Sequence, residues 1–432
     1  MFRKSSIALI YESISKHALV AVIIAFCSAE ASSSAYGREE DTGYLVRVTE
    51  TTDLTYTHLY DSYLFMMHRP EGKTCQASSI KSEYVMAINR SSFGKNIIDM
   101  NSFRSLSFEK VCGFCFYSDV DLDRDLIVEL SRDKRIKYLM IGTSSISNTD
   151  VEKLLENNSL FYLVINGTKA SNFPQIVKPN KLIKIMAIQN ATLTEAAITP
   201  LGKWPKLRQL DFQECEFPTE AAQAVAAFPN LETLILQSAK TNDDAFAKLL
   251  TSKTLKHLDL SHTSVDGSGL RGSNNDTIES LNISNTKLID DYVSDLKNLR
   301  SLKALNMAST SITTKCLESI ASLKDLEDLS LAESQLGLRR IIDDNAAEQI
   351  SRLQKLVRLD LSQSKLTSKG LAFIQLIPTL EYLTLDRTHI SDESLPILTK
   401  MKKLKYLSLV QCDLTESGIK RLRDELPNCK IR

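Results

Sequence analysis

One twelve-residue line recurs down most of this 432-residue chain, and no other feature constrains its fold as tightly. "LKHLDLSHTSVD" begins at Leu255, and close copies are "LKALNMASTSIT" from Leu302, "LVRLDLSQSKLT" from Leu356, "LEYLTLDRTHIS" from Leu380 and "LKYLSLVQCDLT" from Leu404. Apolar residues hold places one, four, six and eleven, a small residue holds place nine, and Thr, Ser or Asp holds place twelve. The lines start at Ile136, Leu160, Ile183, Leu207, Leu231, Leu255, Ile278, Leu302, Leu326, Leu356, Leu380 and Leu404, about 24 residues apart. One step, from Leu326 to Leu356, is longer, about 30 residues. Recurrence at such a period means units that cannot bury an apolar face alone and must stack on one another.

The spacing within a line predicts what each unit is. Apolar residues at places four and six, with polar neighbours, have the period of two of a short half-buried strand. Place twelve then supplies helix N-caps (Thr313, Thr367, Ser391 and Thr415), whose hydroxyls can accept from an orphan backbone N–H. Behind them the period changes to three or four, as in Leu371, Ile374 and Ile377 or Leu395, Leu398 and Met401, the stripe of a short helix. Stacked copies make a parallel sheet on one side and helices on the other. Strands repeat every ~4.8 Å, whereas helices need roughly 8–10 Å, so the stack should bend with its strands inside. The fold class expected is an α/β solenoid, a horseshoe with a concave parallel β-sheet and short convex helices. Leu258, Leu260, Leu305, Leu359, Leu361, Leu383 and Leu407 should form its core. A weaker line, "FRSLSFEKV", starts at Phe103.

The pattern LxxLxLxx(T/S/C)x(I/L)(T/S) followed by a helix resembles leucine-rich-repeat proteins over about residues 103–432. It is most similar to the cysteine-containing branch and to the secreted repeat proteins of planctomycete-like bacteria, where T-x-I-[ST]-[DT] recurs. The resemblance implies the fold strongly and function only as the binding of other macromolecules. Place nine, often Asn or Cys in the family, is here Thr263, Thr286, Thr310, Thr388, Ser144, Ser334, Ser364, Cys215, Cys412 or Ala239. Small polar groups there can satisfy backbone groups at the strand-to-helix corner, less completely than Asn.

The chain's first part departs from the repeats. "MFRKSS" is basic, Ala18–Ala29 is a nearly unbroken apolar run, and "AEA" at Ala29–Ala31 fits a cleavage signal. About a dozen apolar residues are fewer than the roughly 20 needed to span a bilayer. Residues 1–31 are therefore read as a signal peptide, with a retained anchor or buried helix as the alternative, and export to a secreted, periplasmic or envelope location is expected. Residues 32–42 read as a tail. Residues 43–102 show no repeat; "GYLVRVTETTDLTYTHLYDSYLFMM" holds one or two strands, an N-terminal cap for the raw end of the stack. The repeat domain spans 103–432, and "ESGIKRLRDELPNCKIR" closes it as a charged helix and a stub of strand.

Little in the chain points to catalysis. There is no phosphate-cradling glycine loop, HExxH or nucleophile elbow. Of eight cysteines, Cys215, Cys316 and Cys412 fall on core positions and read as small hydrophobes. "CGFC" (Cys112, Cys115) lacks the second ligand pair of a zinc site and the βαβ setting of a redox motif; a disulfide involving Cys75 fits an exported chain. His257 and His262 share a line but have no carboxylate cluster and read as exposed. The sequons at Asn89, Asn157, Asn166, Asn190, Asn275 and Asn282 read as accidental. No cofactor and no metal are expected. Lys+Arg and Asp+Glu are both 53, so the cationic footprint of a nucleic-acid binder is missing from the totals.

The face at places three, five and seven remains. It is apolar and aromatic at its N-terminal end (Tyr138, Met140, Tyr162, Val164), where the cap could cover it. At its C-terminal end Tyr382 and Tyr406 lie among Arg358, Asp360, Asp386 and Arg387. Exposed Tyr and Arg together are enriched in binding hot spots. The expected function is a non-enzymatic, monomeric module holding a protein or peptide on its concave face at Tyr382, Tyr406, Arg358, Asp360, Asp386 and Arg387, with Tyr138 and Tyr162 as the other candidate patch. The alternative is the substrate-recognition arm of a ubiquitin-ligase-like adaptor or secreted effector.

Overall fold

The computed structural model describes residues 44–47, 84–88, 97–98, 111–116, 121–142, 146–166, 179–332 and 342–432. The chain forms two compact units, Met1–Glu216 and Phe217–Arg432. The segment read as a signal peptide, its cleavage site and Cys75 lie outside the described residues, as do the side chains of Cys112 and Cys115.

In the first unit the strands Tyr138–Ile141, Tyr162–Asn166, Ile185–Gln189 and Gln209–Asp211 pair in parallel, one per repeat. Ahead of them Val111–Phe116 pairs with Tyr138–Ile141, matching Phe114 to Leu139 and Phe116 to Ile141. The register of this strand therefore runs from Val111 at place one, and not from Phe103. Phe114 and Phe116, 3% and 0% exposed, fill the leucine places. Tyr84–Ile88 adds a further parallel strand, and Tyr44–Arg47 runs antiparallel to it at the edge. With Ile97–Ile98, three strands thus lie among the described residues of 43–102, one of them in the stretch expected to hold strands, and no leucine count marks them because their apolar residues are Val, Met, Ile and Leu in other spacings. A separate pair joins Ile97–Ile98 to Asp121–Leu122.

In the second unit the strand pairing continues from repeat to repeat, across the one longer step as well. Its strands run in chain order and in parallel from Thr233–Ile235 to Lys430–Ile431. Place four pairs with place four throughout, so Leu258, Leu281, Leu305, Leu329, Leu359, Leu383 and Leu407 form one column. All seven leucines expected in the core are buried, none more than 2% exposed. The helix stripes Leu371, Ile374, Ile377 and Leu395, Leu398, Met401 are buried as well. The fold is an α/β leucine-rich-repeat solenoid.

Polar groups at the corners close each repeat and join some of them to their neighbours. Thr263, Thr286, Thr310 and Thr388 at place nine donate to the place-six carbonyl of their own repeat, at 2.6–2.8 Å. The thiols of Cys215 and Cys412 instead reach the place-six carbonyl of the preceding repeat, Ile188 at 3.3 Å and Leu385 at 3.0 Å. Place eight is left-handed in Asn190, Glu214, Ser238, His262, Asn285, Ser309, Gln363, Arg387 and Gln411, with φ between 54° and 63°. Thr313, Thr367 and Thr415 cap their helices as expected. Ser391 occupies the cap position of the 3-10 turn Asp392–Ser394 but makes no side-chain cap bond.

A further clasp was invisible in any single line. The carboxylates of Asp290, Asp344 and Asp392, each in the first turn behind place twelve, accept from both the backbone N–H and the hydroxyl of Thr313, Thr367 and Thr415 in the following repeat. Asp243 plays the same part with the N–H groups of Asp266, Gly267 and Gly269. In that repeat the helix shrinks to one 3-10 turn, Ser268–Leu270. Gly267 has φ +96°, and a Cβ on Gly269 would stand 2.6 Å from the Asp243 carbonyl oxygen. A side chain larger than hydrogen would force these chains apart.

On the other edge Asn157, Asn180 and Asn275 are buried and donate to carbonyls at the end of the preceding repeat's helix. Asn157 and Asn275 head two of the sequons, and their amides are enclosed and bonded, so no sugar could be attached to them in the folded chain. The longer repeat resumes with the helix Asp344–Ile350, capped by Asp343. Residues 333–341 of this repeat lie outside the described residues. Among the described residues no helix is long and apolar enough to cross a membrane.

Candidate functional site

The strand register decides which residues of the C-terminal face become neighbours. Arg358 pairs with Tyr382, Tyr382 with Tyr406, and Tyr406 with Lys430. Four successive strands thus present one row at place three. The Arg358 guanidinium lies over the Tyr382 ring, 4.6 Å from its centroid, and the Lys430 ammonium lies 5.9 Å from the centroid of Tyr406. Cations over ring faces are held by the quadrupole, which also keeps each ring standing on the sheet. The Lys405–Glu381 ion pair, 2.7 Å, borders the row at place two.

Lys430 was absent from the site expected from sequence, because "NCKIR" carries no leucine line. Counting 24 residues on from Leu404 puts Lys430 at place three of a further line, and that count was the available signal.

The acidic residues serve the backbone first. Asp360 Oδ1 accepts from the Ser362 N–H at 2.9 Å and the Ser362 hydroxyl at 2.6 Å. Asp259, Asn282, Asn306 and Asp211 take the same place-five role, each accepting from the N–H at place seven of its own repeat. Ser408 has no carboxylate, and there Asp386 of the preceding repeat substitutes, accepting from the Ser408 hydroxyl and the Val410 N–H. Burial pushes the Asp360 carboxyl up to about 6, with Asp386 and Asp328 adding repulsion against the lowering hydrogen bonds from Ser362. Arg387, left-handed at place eight, donates from Nε to the Gln411 side-chain oxygen at 2.6 Å. Arg358, Tyr382, Tyr406, Asp360, Asp386 and Arg387 are all partly exposed on this one unit.

The N-terminal patch is built differently. Tyr138 and Tyr162 pair across strands with ring centroids 6.5 Å apart and planes at 45°. Both are only partly exposed, and Met140 and Val164 at place five are buried, 5% and 0% exposed. The apolar floor seen in the sequence is therefore covered, and two tyrosines are what this end offers.

Elsewhere the chemistry is quiet. Cys215 and Cys316 are buried free thiols, pushed up to about 12 chiefly by burial. His257, expected to be exposed, is partly buried, and that burial lowers it. Among the described residues no group of His, Cys, Asp and Glu could hold a metal ion.

The family model for the LRR repeats of FBD-associated F-box protein At5g56370 matches residues 184–318. No curated protein matches the chain. Among solved structures, an internalin of Listeria monocytogenes is similar at 17% identity and a TM-score of 0.45, covering 81% of this chain and 85% of that one. A Leptospira interrogans LRR protein is similar at 18% identity and a TM-score of 0.37, over 69% of this chain and 90% of that one. A TLR13–ssRNA13 complex is similar at 20% identity and a TM-score of 0.46, over 72% of this chain and 49% of that one. That match and the register of the strands support the leucine-rich-repeat fold.

Proposed function

We propose that the protein is a non-enzymatic interaction module that holds a protein or peptide on the open sheet face of its C-terminal unit. The observation that carries the reading is the row itself: two tyrosines on adjacent strands, each partly exposed and each flanked outward by a cation over its ring. Such a row offers flat apolar area with hydrogen-bonding rims, at little loss of side-chain freedom on binding. Asp360, Asp386 and Arg387 border it, and Tyr138 with Tyr162 form the secondary patch. No cofactor enters this reading. Within the repeat family, Cys215 and Cys412 at place nine support kinship with the cysteine-containing and planctomycete-type proteins.

We also propose export, on the strength of the basic start, the apolar run Ala18–Ala29 and the small residues at Ala29–Ala31. Capture from the matching extracellular fraction by wild type and by a Tyr382→Ala/Tyr406→Ala variant tests the face. The variant should melt as wild type does and lose the captured partner; undiminished capture would move the site to Tyr138 and Tyr162. The adaptor reading draws support from the family match, whose description includes an F-box protein, although the residues matched are repeats. Finding the chain in the cytosol with Met1 intact would favour the adaptor reading over export.

A further inference from the structure

The row of the C-terminal unit has a length and a charge pattern that specify a ligand. Arg358, Tyr382, Tyr406 and Lys430 stand on four successive strands. The two cations are therefore three strand spacings apart, roughly 14 Å. Four residues of an extended peptide span roughly 13 Å, and side chains at n, n+2 and n+4 emerge on one face. The Arg358 side chain makes no hydrogen bond or ion pair among the described residues beyond its contact with the Tyr382 ring. Its planar fork of donors is open to a carboxylate.

We propose that this row takes an extended acidic peptide lying across the strands. Carboxylates at n and n+4 would sit on Arg358 and Lys430, and an apolar side chain at n+2 would cover the gap between Tyr382 and Tyr406. The inference rests on the binding-face reading above and adds the chemistry of the occupant. Asp328 stands at place three on the strand before Arg358, and Glu381 is paired with Lys405 at the border; Asp360 and Asp386 lie beside the row and do not oppose it strongly. Asp360 is turned to Ser362, and Asp386 to Ser408 and Val410, so their charge is spent on the sheet's own donors. They do disfavour a nucleic-acid strand, which carries a charge at every residue and would bring phosphates over both aspartates.

The test uses the full chain and fluorescein-labelled nine-residue peptides in a Ser/Thr background, read by anisotropy at low salt. One carries Glu, Leu and Glu at positions 3, 5 and 7; a second has Lys in place of both Glu; a third moves the second Glu to position 8. The first should bind about tenfold more tightly than the others, and Arg358→Gln or Lys430→Gln should each weaken it about fivefold. Tighter binding of an oligouridylate, equal binding of the three peptides, no binding of the first at millimolar concentration, or indifference to both Gln variants would overturn the proposal. The Tyr382→Ala/Tyr406→Ala variant separates the two levels. If peptides bind without regard to charge and the double variant loses them, the face stands and the acidic occupant falls. If they bind the double variant undiminished, the face falls too.

Discussion

Removing the Asp344 carboxylate should unlock two repeats from each other. Asp344 accepts from the Thr367 N–H at 2.8 Å, the Thr367 hydroxyl at 2.7 Å and the Gly370 N–H at 3.0 Å. In Asp344→Ala two backbone donors at the start of the next helix lose a charged acceptor. Hydrogen bonds to charged groups contribute about 1.5–3 kcal/mol each when buried, and these are only part-buried, with water able to replace some of the loss. The expected cost is about 2–3 kcal/mol. Thr367→Val removes only the hydroxyl bond and the cap to Lys369, about 1 kcal/mol. The double variant should cost less than the sum, with a coupling of roughly 1 kcal/mol, because both singles break the same bond. Urea unfolding followed by circular dichroism gives the energies. Hydrogen exchange should show the loss centred on 344–371 before it spreads, since stability in a solenoid is summed over neighbouring interfaces. A cost below about 0.5 kcal/mol for Asp344→Ala, or strict additivity with Thr367→Val, would refute the clasp.

Leu359→Ala empties a fully enclosed place-four site between Leu329 and Leu383 and should cost roughly 2–5 kcal/mol; an unchanged urea midpoint would contradict the register. The Asp360 carboxyl, at about 6 when folded against about 3.9 unfolded, binds its proton more tightly in the folded chain. Stability should therefore fall as pH rises from about 4 to 6, by on the order of 1–2 kcal/mol after allowance for partial exposure. Asp360→Asn keeps an acceptor for Ser362 and should flatten that slope relative to wild type; identical slopes would exclude Asp360 as its source. Cys215, with its thiol pushed up to about 12 by burial, should resist iodoacetamide at pH 8 in the folded protein and react in urea, as read by mass spectrometry. Labelling at equal rates in both states would contradict its burial.

The core could be read from the sequence because one repeat contains all the information that places it. Leucines at four and six with a stripe behind Thr367 or Thr415 dictate a strand and a helix, and every such leucine expected inside is inside. The first strands escaped for the converse reason. Val111–Phe116 fills the leucine places with Phe114 and Phe116, so a leucine pattern lands on Phe103 instead, although Leu is only one way to fill a column. Tyr382, Tyr406 and Arg358 could be named because their place in the line is enough to put them on one face.

What only the tertiary structure decided lies between repeats. Residues about 24 apart in sequence become neighbours a strand spacing apart, and which polar atoms meet there depends on rotamer and register together. So Asp386 was legible as a face residue, but not as the acceptor for Ser408 and Val410. Asp344 reads as an ordinary first-turn carboxylate until the next repeat brings Thr367 onto it. Met140 and Val164 alternate outward by period, yet they are buried, because alternation says which face a side chain is on and not what covers that face. Lys430 joins the row because the sheet adds one more strand after the last leucine line, and a backbone pairing can continue where the apolar pattern that announced it has stopped.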